Sequence, residues 1–225
     1  LLQYFMEKNI PVLGVEPSEN VAKAAIEKGI PTKQVFFGEK SAGKLRKEYG
    51  SADLILGNNV LAHVPQIGDF VKGLKKMLAQ NGLMTFEFPH LMQLVENNQF
   101  DTIYHEHFFY YSLLAVKSIF EKYDMKIFDV QELSTHGGSI RIFVTHEHNE
   151  MYSERDAVKE LLEVEKEKGY ENIELYTAFD KNVRETKRQI LELLINLKNK
   201  GNTIAGYGAP GKGNTLLNYC GIRQD

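Results

Sequence analysis

Short apolar runs of strand type alternate with amphipathic stretches of helical period through the first 150 residues, and no other feature restricts the fold so strongly. Ile10-Pro-Val-Leu-Gly-Val15 ends at Glu16-Pro17-Ser18, where Ser18 is placed to cap a helix over Glu19 to Lys28 that Gly29 closes. Residues 1–9 read as the tail of an earlier helix. Val35–Phe37 is a second strand candidate, Ser41–Tyr49 a second helix and Ala52–Gly57 a third strand. After Pro65, apolar residues recur at Ile67, Phe70, Val71, Leu74, Met77 and Leu78, a helical period that Asn81-Gly82 is expected to end. Gly82–Phe88 follows as a strand. Strands separated by helices of this length predict an α/β fold with a parallel sheet covered by helices on both faces.

Leu113–Tyr123 is helical by pattern, and Lys126–Val130 and Ser139–Thr145 are strand-like, closing a first domain over residues 1–150. Ser153–Lys200 shifts to Glu, Lys and Leu, which reads as two charged amphipathic helices with a break near Gly169 and Tyr170, their charges forming a solvated face over a linking region of 151–200. From Asn202 a strand, a glycine-rich turn and a helix start mark the beginning of a second α/β unit over 201–225.

Composition bounds the class. The 225 residues carry a net charge of -3, with 43% hydrophobic and 25% charged residues, which gives no electrostatic reason to expect nucleic acid or an anionic membrane as partner. The single cysteine, Cys220, excludes an intrachain disulfide and suits a reducing, cytoplasmic setting. No apolar run is long enough to span a bilayer. The chain begins Leu1-Leu2-Gln3 without a methionine and stops at Asp225 soon after the last strand-turn-helix signal, as a piece of a longer protein would.

The densest chemistry lies in Phe100-Asp-Thr-Ile-Tyr104-His105-Glu106-His107-Phe108-Phe109-Tyr110-Tyr111-Ser112. Titratable groups among so many rings need partners, and apolar surroundings shift their pKa values. His105 and His107 would share a face on a strand and could hold zinc there, but the sequence offers no obvious further ligands. Acid-base work fits better, with one imidazole as base and Glu106 orienting or tuning it. His146-Glu147-His148 repeats the same three letters beside Asn149-Glu150, where they read as solvated surface. The aromatic setting therefore distinguishes the first copy.

Further candidates sit at strand ends. Glu16 follows an apolar strand, where an acid accepts ribose hydroxyls or simply faces solvent before a turn. Asn58 and Asn59 offer directional hydrogen bonds after the third strand, and His63 follows either as a ligand-facing group or as a satisfied core histidine. Thr135-His-Gly-Gly-Ser-Ile-Arg141 supplies two glycines through which backbone amides could approach a ligand, or a plain hairpin turn, and a guanidinium suited to carboxylate or phosphate. Gly206-Tyr207-Gly208-Ala-Pro-Gly211 has the placing of a dinucleotide or phosphate turn. Lys212 follows as in a P-loop, but Gly213 stands where a magnesium-binding Ser or Thr is required, which excludes an NTPase.

Taken in order, Gly14–Ser18, Asn58–His63, Phe100–His107, Thr135–Arg141 and Gly206–Gly213 resemble the S-adenosylmethionine-dependent C-methyltransferases that act on nucleotide-linked keto-deoxysugars. The resemblance implies a Rossmann-like class I methyltransferase sheet followed by a second Rossmann-like domain. It implies a zinc-binding module ahead of them and a first strand with a glycine-rich cofactor loop, neither of which this sequence contains. It also implies that Glu16 holds the cofactor ribose and that Asn58 and Asn59 lie close to the cofactor. His63, Tyr104, Glu106 and His107 would surround the sugar, with His107 as base, while the glycine-rich turn with Tyr207 and Gly208, together with Lys212, would face the nucleotide diphosphate and Arg141 would bind substrate. Methyl transfer itself would need no metal. The competing expectations are O- or N-methylation of another small molecule, and an NAD-binding module built on Gly206–Gly211. The resemblance leaves the oligomeric state open.

Overall fold

The computed structural model describes residues 1–208 and 211–224. A short helix α1, Leu2–Met6, leads into β1, Gly14–Val15, followed by α2, Glu19–Glu27, and β2, Thr32–Lys33. β1 and β2 pair in parallel, Gly14 opposite Thr32 and Val15 opposite Lys33. The first strand is thus shorter than the apolar run from Ile10. The second lies ahead of the expected Val35–Phe37, because Phe36 is exposed while Phe37 turns inward to meet the Phe70 ring edge-on at 5.5 Å. That segment feeds α3, Glu39–Tyr49, instead of a ladder.

The main sheet begins with β3, Ala52–Asn58. Helix α4, Ile67–Met77, then buries Phe70, Val71, Leu74 and Met77, the stripe that its spacing predicts. β4, Leu78–Pro89, starts directly at its end. Asn81-Gly82 does not stop the helix but lies inside this strand, where the pairing of β3 with β4 passes from Ala52 opposite Leu78 to Leu54 opposite Leu83. The turn signal is real and marks an irregular insertion: a Cβ on Gly82 would come within 3.0 Å of the Ala52 and Asp53 carbonyl oxygens.

Helix α5, Leu91–Glu96, and a 3₁₀ turn at Phe100–Thr102 lead to the aromatic segment and α6, Leu113–Glu121. β5, Met125–Leu133, and β6, Ser139–His146, complete the sheet in the order β3-β4-β6-β5. β3 and β4 are parallel, but β6 runs antiparallel to both β4 and β5, so the sheet is mixed where an all-parallel one was expected. The short link from β5 to β6 dictates this, since a parallel return needs a crossover of a dozen or more residues. Phe86, Phe88, Ile140 and Ile142 from the central strands are fully buried in one core.

Helices α7, Asp156–Glu167, and α8, Ile173–Asn199, follow, broken at Gly169 with its positive φ of 84°. α7 packs on β5 and α6 and is part of the main core through Val158 and Leu161. Its charges are not all a solvated face: the Glu165 side chain is fully buried. The expected strand after Asn202 does not form among the described residues; 202–208 is exposed chain, with no described strand beside it to accept its hydrogen bonds. The following helix is present as α9, Gly211–Cys220, and it packs against the turn at Phe100–Thr102, with the Tyr219 ring 5.3 Å from that of Phe100.

Candidate functional site

The carboxyl ends of β3 and β4 carry two adjoining clusters. The first is built on the aromatic segment, which forms a turn rather than a strand: the His107 amide donates to the Tyr104 carbonyl at 3.1 Å. His105 is exposed at the middle of that turn and His107 is half-buried at its end. The two histidines therefore do not share a face, and the strand geometry on which a shared zinc would rest is absent.

Instead, the His107 imidazole lies 4.6 Å from the Tyr104 ring, 4.8 Å from the His63 ring and 5.6 Å from the Tyr110 ring. Tyr110 pins the loop, because its hydroxyl accepts the Tyr104 amide at 3.1 Å and donates to the Thr102 carbonyl at 3.3 Å. His63 is brought in by the 3₁₀ turn Leu61–His63 that follows β3, and its Nδ1 donates to the Glu106 carbonyl at 3.0 Å. Among the described residues the Tyr104 hydroxyl donates to no protein acceptor.

Burial pushes the His107 imidazole below the ordinary histidine range, and the neighbouring His63 and Lys212 push it further. Glu106 and the backbone at Thr102 act in the opposite direction and are outweighed. The Glu106 carboxylate is exposed, so this residue contributes its carbonyl to His63 as well as its charge to His107. Lys212, in the first turn of α9, thus acts electrostatically on the same imidazole as His63.

The second cluster surrounds the turn between β5 and β6. Glu87, buried near the end of β4, accepts the Thr135 hydroxyl at 3.0 Å and the Arg141 guanidinium at 2.7 Å. Glu87 and Arg141 are opposite one another in the ladder, so the guanidinium expected to be free for substrate is engaged by a cross-strand acid. The two glycines also serve the protein itself. A Cβ on Gly137 would strike Gln99 and one on Gly138 would strike Gln93, with positive φ at both. They let glutamine side chains approach, where a ligand was expected.

Asn59 belongs to the second cluster: its amide donates to the Glu87 carbonyl at 2.7 Å and its side-chain Nδ2 lies 2.9 Å from His136 Nε2. The Asn59 Oδ1 is buried without a partner. Asn58 is exposed at the end of β3. Glu16 stands at the end of β1, in the other sheet, where its Oε1 accepts the Ser18 amide at 2.8 Å. That bond holds the acid at the strand end, and no described hydrogen bond joins it to either cluster. Tyr207 is fully exposed and Gly208 has a φ of 129°; the intervening Ala209 and Pro210 of the glycine-rich turn lie outside the described residues.

Glu87, Tyr110 and His136 are not singled out as individual site residues by the sequence pattern. Glu87 carried a signal, a lone acid in the apolar run Met84–Phe88. His136 lay within a motif that was noticed for its glycines and arginine.

Residues 1–130 match the family model described as a methyltransferase domain, and residues 134–225 match the model of the C-methyltransferase C-terminal domain. The C-methyltransferase NovU of Streptomyces niveus is 36% identical over 221 residues, which are 98% of this chain and 52% of NovU. The chain thus spans about half the length of this curated relative. Among solved structures, a SAM-dependent methyltransferase from Anabaena variabilis ATCC 29413 superposes with a TM-score of 0.50 at 14% identity, over 64% of this chain and 72% of that one, a likeness of fold alone. No helix among the described residues is long and apolar enough to cross a membrane.

Proposed function

The chain belongs to the methyltransferase-domain family, and from that premise we propose that it is the core of an S-adenosylmethionine-dependent C-methyltransferase acting, in the cytoplasm, on a nucleotide-linked keto-deoxysugar. The observation that carries this reading is the half-buried His107 held between Tyr104 and His63, with a lysine acting on it. A neutral imidazole in partly apolar surroundings is a base suited to a carbon acid. The match of residues 134–225 to the C-methyltransferase C-terminal domain supports carbon as the methyl acceptor.

Groups for the cofactor are present. Glu16 keeps its Oε2 without a described partner, fit for a ribose hydroxyl, and the orphaned Asn59 Oδ1 is an acceptor awaiting a donor. When bound, S-adenosylmethionine supplies an electrophilic methyl group on a sulfonium sulfur. The protein's own residues prepare the nucleophile. His107 takes the proton alpha to the substrate ketone, and the Tyr104 hydroxyl donates to the oxygen on which negative charge develops. His63 is less suited to that donation. Its Nδ1–H is spent on the Glu106 carbonyl, so the Nε2 of the neutral ring is an acceptor and not a donor. Lys212 acts on the base through its positive charge, which would also attract an anionic nucleotide diphosphate.

Two measurements test the reading. In deuterated water without cofactor, the full protein is expected to exchange the proton alpha to the ketone of a nucleotide-linked keto-deoxysugar. An exchange rate equal to the enzyme-free rate would favour O- or N-methylation. The pH profile of kcat/KM is expected to show an acid limb with its midpoint below about 6.5, the unperturbed histidine value. The sign follows from the environment: burial and nearby positive charge disfavour the imidazolium, so the free base persists to lower pH. Replacing His63 with Asn removes one of the groups that lower the His107 imidazole and is expected to move the midpoint upward. A midpoint unmoved, or moved downward, would separate His63 from the tuning of the base.

A further inference from the structure

The turn Thr135–Gly138 is tied down on four sides. Thr135 reaches Glu87 at 3.0 Å, Gln99 donates to the Gly137 carbonyl at 2.8 Å, and the His90 amide donates to the Gly138 carbonyl at 3.0 Å. The fourth tie is the side-chain pair His136 and Asn59 at 2.9 Å. Both members of that pair hold left-handed backbone without being glycine, with φ of 54° at each. Such conformations are uncommon outside glycine and persist where surrounding contacts enforce them. Two left-handed residues are thus joined through their side chains across two loops at the rim of one site.

The chemistry of the pair is directional. With the Asn59 Nδ2 donating, His136 Nε2 accepts, and the ring proton is carried on Nδ1. The Asn59 side chain is thereby held with its nitrogen toward His136 and its Oδ1 turned to the buried position that has no protein partner. An unpaired buried carbonyl oxygen is unfavourable unless a ligand donor fills it.

We infer that His136 is a positioning residue: it clamps the Asn59 amide so that Oδ1 faces the cofactor cleft as a hydrogen-bond acceptor for an ammonium or hydroxyl of the bound cofactor. This rests on the proposed cofactor reading, but the clamp exists in the free protein and can be observed without any ligand. Gln99, Glu87 and the glycines supply its rigidity, which is what a site built on a loop requires.

The test uses the full protein and two variants. His136→Asn keeps a residue tolerant of left-handed backbone but is too short to reach Asn59. His136→Gln restores an acceptor oxygen. Two readouts are taken: the side-chain amide cross-peaks of Asn59 in 15N spectra of the free protein, and the Kd of S-adenosylhomocysteine by calorimetry. His136→Asn is expected to shift the cross-peaks and weaken binding by about three- to tenfold, the scale of one hydrogen bond, with both restored toward wild type in His136→Gln. Unmoved cross-peaks, an unchanged Kd with moved cross-peaks, or a Gln variant that restores neither overturns the assignment. If wild-type protein binds no S-adenosylhomocysteine while the cross-peaks move and return as expected, the cofactor reading fails and the clamp stands.

Discussion

Replacing His107 with Asn is expected to lower methyl transfer by about 10²- to 10⁴-fold, the range that a positioned general base contributes, while S-adenosylhomocysteine still binds. Asn keeps a polar side chain with an amide nitrogen or oxygen near the position of imidazole Nδ1 but has no basic nitrogen, so the property chiefly lost is basicity. The effect should fall on kcat, because the proton moves in the reaction step and not on binding. Deuterium exchange at the substrate carbon should be lost in parallel, since it depends on the same proton transfer without the methyl group. A variant that turns over at more than about a tenth of the wild-type rate would remove His107 from the role of base. Tyr104→Phe sharpens the comparison: it keeps the ring at 4.6 Å from His107 and removes only the hydroxyl. A smaller loss in that variant than in His107→Asn fits a donor to the developing oxyanion.

The second large effect concerns stability. Glu165 is fully buried in α7, and its carboxylate accepts three donors: His90 Nε2 at 2.6 Å and the amides of Leu113 at 2.6 Å and Leu114 at 2.8 Å. The last two are among the orphan donors in the first turn of α6, so an acid from a later helix caps an earlier one. Ser112 adds its own hydroxyl to the Ala115 amide at 3.1 Å. His90 in turn bridges to Tyr111 at the end of the aromatic segment. Glu165→Ala strands an imidazole and two amides away from water, and is expected to cost about 3–5 kcal/mol of unfolding free energy in a urea titration. Glu165→Gln, which keeps an acceptor oxygen for one amide, is expected to lose less. A loss below about 1 kcal/mol in the Ala variant would mean that water or a local shift satisfies these groups.

Several parts of the fold were legible because they depend on periods written along the chain. The apolar stripe of α4 follows from its spacing, and the break at Gly169 from a residue that tolerates positive φ. Other parts were illegible because local signals were outvoted by partners distant in sequence. Val35-Phe36-Phe37 has strand-forming residues, but Phe37 is drawn to Phe70. Asn81-Gly82 spells a turn, yet the ladder with β3 absorbs it as an irregularity. Arg141 reads as a ligand for an anion until its register sets it opposite Glu87.

The sequence by itself determined that strands and helices alternate and that Tyr104, Glu106 and His107 are crowded together, since adjacency along the chain needs no folding. It also singled out Asn59, His63 and Lys212 as polar groups at segment ends. Only the tertiary structure decided that His63 meets His107 at 4.8 Å, that Lys212 acts on the same imidazole, and that Asn59 is held by His136. The residues of these pairs are 44, 105 and 77 positions apart, separations obtained from their numbers in the chain. No periodicity encodes such pairs. They arise because the carboxyl ends of β3 and β4, the reversal into β6 and the docking of α9 bring their loops to one rim of the protein.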